Sequence, residues 1–314
     1  MKTVSFVIPC YRSAHTIGAV VEEIRRSMAA LDSYRYELIL VNDSSPDDTF
    51  EVLSALALED PCITAVDLAK NFGQHAAIMA GLRHSKGDYV VCLDDDGQTP
   101  ADEVGKLLAK LDEGYDVAYA SYGSQKQQSP FRRFGSWVNG KMTQIMLGKP
   151  KDLDLTSYFA AQRFIIDEML RYEHCFPYVM GLVLRSTKKI VNVPVQHRQR
   201  QEGSSGYDLS RLLSLWMNGF TSFSIKPLRL ATYLGSFTAV AGFIYALIIV
   251  IRYFTVHMAP LGWSSTTALL LILGGIILVV LGLVGEYVGR IFMCVNASPQ
   301  YVERQIVCKS KEEN

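Results

Sequence analysis

Short apolar runs alternate with amphipathic stretches over the first 120 residues. The apolar runs predict buried strands at residues 4–8, 37–41, 63–67, 89–93 and 116–120. Helical periodicity between them predicts helices at residues 14–31, 74–84 and 102–112. A further helix is predicted to start at a cap at residue 45 or 47 and to end at about residue 58. Strands that alternate with helices of this length form βαβ units with right-handed crossovers. The pattern therefore predicts a doubly wound α/β sheet.

The pattern is less regular between residues 121 and 200. Residues 131–147 have helical periodicity, and residues 152–163 and 190–195 are further candidate strands. Residues 197–207 form a basic, glycine-containing stretch with three hydroxyl side chains, which predicts a loop.

Two long uncharged runs follow this region. Residues 230–251 are 22 residues without a charge, about 33 Å as a helix and long enough to span a bilayer. A second uncharged run covers residues 261–285. A buried hairpin in a soluble core is the alternative, but two such runs after a complete α/β domain favour two transmembrane helices, at about residues 230–252 and 262–285.

Basic residues around the two runs predict their orientation. Lys226 and Arg229 precede the first run and Arg290 follows the second, whereas the connector contains Arg252. The positive-inside rule then places both termini and the α/β domain in the cytoplasm. The predicted parts are a catalytic domain at residues 1–225, a membrane domain at 226–292 and a cytoplasmic tail at 293–314.

Composition excludes some classes of function. The chain has 31 basic and 31 acidic residues, so its charge gives no reason to expect nucleic-acid binding. Its six cysteines are scattered without a C-x-x-C pair, which argues against a disulfide framework or a zinc site and fits a reducing compartment.

The strongest candidate for chemistry is the run of three carboxylates at residues 94–96, directly after the predicted strand at 89–93. Three adjacent like charges need neutralising, and a divalent cation with oxygen ligands does this. Ligands of open α/β sheets bind beyond the carboxyl ends of the strands, and a second acidic loop at 42–49 follows another strand. These features predict a metal-assisted nucleotide site, with a solvated acidic turn as the alternative. No G-x-G-x-x-G follows the first strand, which argues against a dinucleotide-dependent oxidoreductase.

Several ordered motifs together resemble one family. They are Val-Ile-Pro-x-Tyr at 7–11, the acidic loop at 42–49, Asn-Phe-Gly-Gln at 71–74, Asp-x-Asp-x-Gln at 94–98, His-x-x-Arg-x-x-Gly-x-Ser-x-Tyr at 197–207, Pro-Leu-Arg at 227–229 and Gly-Glu-Tyr-x-Gly-Arg at 285–290. The chain resembles family 2 glycosyltransferases of the polyprenyl-phosphate type, which include dolichyl-phosphate mannose synthases and bacterial undecaprenyl-phosphate glucosyl- and aminoarabinosyl-transferases. The resemblance implies a GT-A fold, a Rossmann-like doubly wound sheet, followed by two C-terminal transmembrane helices.

The resemblance also implies a donor site. The residues that it assigns to the nucleotide-sugar are Pro9, Tyr11, Asp43, Asp94 and Asp95. Asp96 and Gln98 match the family's metal ligands, and Mg²⁺ or Mn²⁺ suits oxygen ligands beside a diphosphate. Asn42 stands where the family more often has an aspartate, which leaves the identity of the nucleotide open.

For the acceptor, the resemblance implies a lipid phosphate held by arginines, whose forked guanidinium suits phosphate. The candidates for this role are Arg132, Arg133, Arg198, Arg200 and Ser205. Asp154 matches an acidic residue of the family and would act as a base or orient the acceptor. Two positions depart from the family pattern: Tyr158 replaces a glycine and Gly206 replaces a lysine.

The function expected from this resemblance is inverting transfer of one sugar from a nucleotide-sugar, UDP-linked by preference, to undecaprenyl or another polyprenyl phosphate. The reaction would take place at the cytoplasmic face of the inner membrane, by a multi-pass protein that serves cell-envelope glycan or lipid modification. A processive polysaccharide synthase would carry a Gln-x-x-Arg-Trp-type element and more spans, and neither is present in the sequence. A non-catalytic membrane scaffold is a further alternative, and homo-oligomerisation stays open.

Overall fold

A computed structural model of the chain describes residues 1–122, 144, 149–150, 152–196, 226–256 and 262–309. The chain divides into two compact units. The first comprises Met1–Trp216 together with Ala297–Asn314, and the second comprises Met217–Asn296.

The first unit contains a mixed eight-stranded sheet in its described residues. Its strands are β1 Lys2–Cys10, β2 Tyr34–Asn42, β3 Ile63–Leu68, β4 Tyr89–Cys92, β5 Val117–Ser121, β6 Phe159–Gln162, β7 Ile190–Pro194 and β8 Glu303–Cys308. The spatial order is β7-β5-β6-β4-β1-β2-β3-β8. The pairs β1–β2, β1–β4, β2–β3 and β5–β7 are parallel, whereas β6 is antiparallel to β4 and β5, and β8 is antiparallel to β3. The predicted α/β sheet is confirmed, with a parallel centre and antiparallel additions.

Helices cover the sheet and bury the apolar faces that the sequence predicts. They are α1 Ile17–Ala29, α2 Thr49–Glu59, α3 Gln74–His84, α4 Val104–Asp112, α5 Arg163–Leu170 and α6 Val179–Ser186, with a 3₁₀ turn at Ala101–Glu103. The buried residues of α1 are Ile17, Val20, Val21, Ile24 and Met28, which recur at the three- and four-residue spacing of one helix face. The core therefore lies between the sheet and its helices.

Helix α3 lies very close to the sheet at Gly81. A Cβ atom at this position would lie 2.4 Å from Cγ1 of Val7 and 3.0 Å from Cγ2 of Val41. Both contacts are with β-branched side chains of buried strands, which have little freedom to move. The absence of a side chain at Gly81 therefore sets how closely α3 approaches β1 and β2.

We expect Gly81→Ala to destabilise the protein. The steric overlap costs about 1–3 kcal/mol, which exceeds the gain of up to about 1 kcal/mol from helix propensity. Gly18→Ala is the matched control, because Gly18 also lies in a helix and a Cβ there meets nothing within 4 Å. Thermal and urea unfolding of the full-length variants in detergent measures both changes. Equal stability of the two variants would contradict the steric argument.

The prediction of a strand over residues 152–163 is wrong for most of its length. Only Phe159–Gln162 is a strand, and α5 begins at Arg163. Side-chain hydrogen bonds hold the preceding loop: the Thr156 hydroxyl donates to the carbonyl of Ala120 in β5, and Asn192 bonds the backbone of Asp154. The predicted helix at 131–147 and the loop at 197–207 lie outside the described residues, apart from position 144.

The segment predicted as a C-terminal tail contains strand β8, which the sequence analysis did not foresee. Thr64 pairs with Cys308 and Asp67 pairs with Gln305 in the antiparallel ladder with β3. The His84 imidazole also lies 2.9 Å from a carboxylate oxygen of Glu303. The chain after the second unit thus completes one edge of the sheet.

The second unit contains two long helices, α7 Lys226–Val256 and α8 Trp263–Val295. Within the described residues, one stretch has the length and composition to cross a membrane: Ile272–Val295, with a mean hydropathy of 2.2 and none of it buried. Its 24 residues extend about 36 Å as a helix. Glu286 and Arg290, which lie four residues apart on α8, form an ion pair at 2.8 Å.

Candidate nucleotide and metal site

Loops at the carboxyl ends of the four central parallel strands are linked to one another. The backbone N–H of Tyr11, after β1, donates to Oδ2 of Asp95, after β4, at 3.0 Å. The N–H of Arg12 donates to Oγ of Ser45, after β2, at 3.1 Å. The structure therefore brings the residues predicted to bind the nucleotide-sugar together at one edge of the sheet, where open α/β sheets bind ligands.

Asp43 is 4% exposed and fixes the turn that follows β3. One carboxylate oxygen accepts the N–H of Phe72 at 2.7 Å and the other accepts the N–H of Gly73 at 2.9 Å. Gly73 has a φ of 90°, which favours glycine. Burial raises the pKa of the Asp43 carboxyl, and the two backbone donors partly offset this. Asp43 thus joins the loop after β2 to the loop after β3.

Asp94 is tied to two other elements. It accepts hydrogen bonds from the Gln74 amide at 2.9 Å and from the Ser157 hydroxyl. Burial raises the pKa of Asp94 to about 6, and the nearby charges of Asp96 and Asp95 also raise it. Ser157 is a site residue that the sequence analysis missed, although it lies in the same Asp-Leu-Thr-Ser segment as Asp154.

Asp95 and Asp96 face different partners. Burial raises the pKa of Asp95, which accepts the Tyr11 N–H described above. Oδ1 of Asp96 accepts the backbone N–H of Gln98 at 3.0 Å, and the intervening Gly97 has a φ of 71°. Asp96 and Gly97 line a cavity of about 600 Å³ together with His15, Thr16, Ala19, Val20 and Glu23. The turn thus places the Asp96 carboxylate at the wall of an open cavity.

Tyr122 is a second residue that the sequence analysis missed. Burial raises the pKa of its phenol, and the charges of Asp94 and Asp96 raise it further. The phenol therefore stays protonated beside the two carboxylates. Only its position two residues after the predicted strand at 116–120 hinted at this location.

Asp154 is an exposed residue in the loop before β6, beside Ser121, the last residue of β5. It accepts the Ser121 hydroxyl at 2.8 Å, while Asn192 bonds its backbone N–H and carbonyl, each at 2.8 Å. Tyr158, which replaces the family glycine, is fully buried and donates to the carbonyl of Pro100 at 3.1 Å. The larger side chain therefore occupies the core.

Among the other predicted residues, Pro9 is buried within β1 opposite Val41, and Tyr11 is 45% exposed. The predicted acceptor residues Arg132, Arg133, Arg198, Arg200 and Ser205 lie outside the described residues.

The carboxylates at 94–96 fit a hard divalent cation in their chemistry. Within the part of the chain that the structure describes, no group of three His, Cys, Asp or Glu side chains is arranged to hold a metal by itself. Burial nevertheless raises the pKa values of Asp94 and Asp95, so a cation that shares this region would relieve an unfavourable concentration of negative charge. Mg²⁺ and Mn²⁺ accept few protein ligands when substrate phosphates complete the coordination.

Comparison with known proteins agrees with this architecture. The family model described as "Glycosyl transferase family 2" matches residues 5–170, and the model "GtrB C-terminal hairpin" matches residues 226–291. Similar solved structures include glucosyl-3-phosphoglycerate synthase from Mycobacterium tuberculosis, in one case with phosphoglyceric acid (18% identity, TM-score 0.51) and in another with uridine diphosphate (18% identity, TM-score 0.50). Each match covers 71% of this chain and 79% of the other chain.

A structure described as a mycobacterial protein is similar at 20% identity with a TM-score of 0.51, covering 71% of this chain and 75% of that one. At these identities the likeness establishes the fold, a GT-A α/β mixed sheet. The family 2 match covers more than half of the chain. The chain therefore belongs to glycosyl transferase family 2 and carries a C-terminal hairpin of the GtrB type.

Proposed function

We propose that this glycosyltransferase transfers one sugar, with inversion, from a UDP-linked or other nucleotide-sugar to undecaprenyl or another polyprenyl phosphate. The observation that carries the proposal is the presence in one chain of an acidic site at the carboxyl edge of a GT-A sheet and a GtrB-type hairpin with a strongly apolar helix. A lipid phosphate acceptor accounts for both halves.

The donor half of the proposal rests on the linked loops. Tyr11 and Asp43, together with Pro9 in β1, would hold the nucleobase and ribose, and Asp94 and Asp95 would lie toward the sugar-nucleotide. The hydrogen bonds from Tyr11 to Asp95 and from the turn after β3 to Asp43 support this role, because they orient these groups before a ligand arrives.

A divalent cation, Mg²⁺ or Mn²⁺, would be held by Asp96 and Gln98. When bound, it supplies charge neutralisation for the departing nucleoside diphosphate. The protein's own contribution is the turn at Gly97, which holds the Asp96 carboxylate at the cavity wall.

The acceptor phosphate is anionic near neutral pH and needs little activation by a base. Asp154, fixed by Ser121 and Asn192, would orient it or accept a residual proton. Arg132, Arg133, Arg198, Arg200 and Ser205 stay the proposed phosphate-binding residues, on the basis of guanidinium chemistry and the family motif.

The proposed location is the inner membrane. The domains proposed are a catalytic domain at 1–225, a membrane domain with two spans at 226–292 and a C-terminal tail at 293–314, with both termini in the cytoplasm. The basic residues that flank the apolar runs support this orientation. The reaction would then occur at the cytoplasmic face, with the product used for envelope glycan or lipid modification.

The experiment that tests this function uses membranes containing the full-length protein, undecaprenyl phosphate and radiolabelled nucleotide-sugars. We expect label in the lipid extract with one or more UDP-sugars and Mn²⁺ or Mg²⁺. EDTA should abolish the incorporation and excess metal should restore it. Membranes without the protein are the control. Absence of lipid-linked product with UDP-, GDP- and CDP-sugars and either metal would refute the proposal.

A further inference from the structure

We propose that Arg304, in the strand that follows the membrane hairpin along the chain, is a positioning residue for the nucleotide-binding loops. It acts through Asp67 and Asn42 and thereby tunes the affinity for the donor. The inference rests on the proposed function and extends it to a residue that lies outside the family 2 and hairpin matches.

The first step is the attachment of β8 to the end of β3. The N–H of Ala69 donates to the carbonyl of Val302 at 2.8 Å. The Arg304 guanidinium in turn donates to the carbonyl of Ala69 at 2.9 Å and to Oδ2 of Asp67 at 3.3 Å. One side chain of β8 therefore holds both the last part of β3 and the chain that leaves it.

The second step is a continuous series of hydrogen bonds from Asp67 to the donor loops. Asp67 is 3% exposed, and its Oδ1 accepts the Asn42 amide at 2.7 Å. Oδ1 of Asn42 then accepts the N–H of Ser45 at 3.1 Å. Oγ of Ser45 accepts the N–H of Arg12, beside the proposed base-binding Tyr11. The series thus ends on the two loops that follow β1 and β2.

Asn42 connects the two ends of this series of hydrogen bonds, because its side chain both donates and accepts. An asparagine side chain has a donor and an acceptor at fixed positions. Asp67 takes the donor, so the acceptor is left for the Ser45 N–H. A buried carboxylate is stable only when its charge is compensated, and Arg304 supplies a cation to Asp67.

A second branch reaches the same site. Arg304 binds the carbonyl of Ala69, which lies two residues before Asn71. Asn71 donates to the backbone carbonyl of Asp43, and the next two residues donate to the Asp43 carboxylate. Loss of Arg304 would therefore loosen both loops that meet at Asp43, without removing a group that touches the donor.

The test compares Arg304→Ala with wild type, using the full-length protein in nanodiscs. Calorimetry with UDP and Mn²⁺ gives the dissociation constant, and transfer assays give kcat and both KM values. We expect the UDP dissociation constant and the donor KM to rise about tenfold, since loss of charge-assisted bonds loosens the loops. We expect kcat and the KM for undecaprenyl phosphate to change by less than about twofold. Gln305→Ala, an exposed neighbour on β8, is the matched control and should behave as wild type.

Arg304→Lys should recover part of the affinity, because lysine can pair with Asp67 but cannot reproduce the guanidinium fork. Asn42→Ala breaks the series further along and should weaken donor binding similarly. The double variant with Arg304→Ala should lose less than the product of the two single effects. Arg304→Ala with unchanged UDP affinity, a decrease in kcat alone, or independent effects in the double variant would overturn the inference. Failure of wild type to bind UDP, GDP or CDP would instead refute the proposed function.

Discussion

Asp96→Asn is expected to lower kcat/KM for sugar transfer by about a thousandfold or more, because one charged ligand of the proposed cation is lost. The substitution is conservative for the fold. Oδ1 of Asp96 accepts the N–H of Gln98 at 3.0 Å, and an asparagine oxygen can accept the same bond. The turn at Gly97 should therefore persist, and the variant isolates the negative charge from the geometry of the loop.

The measurement for Asp96→Asn is transfer activity as a function of Mn²⁺ concentration, with circular dichroism to show that the fold is intact. Asp102→Asn serves as the control, since Asp102 is an exposed carboxylate in the 3₁₀ turn that follows the site. It should retain activity within about twofold. If Asp96→Asn kept more than a tenth of wild-type activity, Asp96 would not be a required ligand of the cation.

The centre of the fold could be predicted because burial leaves a direct trace in the sequence. Strands β1 to β4 contain apolar runs, and α1 repeats apolar residues on one face. The ends of those strands also located Asp43 and the carboxylates at 94–96, since the chain can reach a ligand only where a strand ends at the sheet edge. The boundaries of α3, Gln74–His84, agree with the prediction.

Other parts of the site could not be predicted because they depend on contacts between distant parts of the chain. Ser157 bonds Asp94 across 63 residues, and no local pattern distinguishes it from other serines. Tyr122 is similar: the charges of Asp94 and Asp96 act on its phenol, although these residues are far from it along the chain. The residues next to each of them along the chain do not show which distant side chain it will meet.

Strand β8 illustrates a different limit. Its six residues include charged and apolar side chains, and four of the five residues from Arg304 to Cys308 are exposed. An edge strand of this kind is stabilised mainly by its backbone ladder, here with β3. The hydrogen bonds of this ladder leave no apolar pattern in the sequence, so the sequence of β8 resembles that of a polar tail. The pairing of Arg304 with Asp67 is hidden for the same reason.

Asp43→Asn is expected to weaken nucleotide binding by about a hundredfold. One buried backbone N–H is left without an acceptor, and a proposed contact with the nucleobase is altered. The carboxylate uses one oxygen for the N–H of Phe72 and the other for the N–H of Gly73. Asparagine offers one oxygen, and its amide group would face the second N–H donor. We therefore expect the turn after β3 to loosen, together with the loop after β2.

Asn71→Ala distinguishes the contribution of the turn to nucleotide affinity from that of the Asp43 carboxylate. It removes the bond of 3.2 Å from the Asn71 amide to the backbone carbonyl of Asp43, but it leaves both bonds to the Asp43 carboxylate. Calorimetry with UDP and Mn²⁺ should then show a loss of only a few-fold, roughly that of one neutral hydrogen bond. Equal losses for Asn71→Ala and Asp43→Asn would mean that the turn alone accounts for the affinity, and Asp43 would have no direct part in holding the nucleotide.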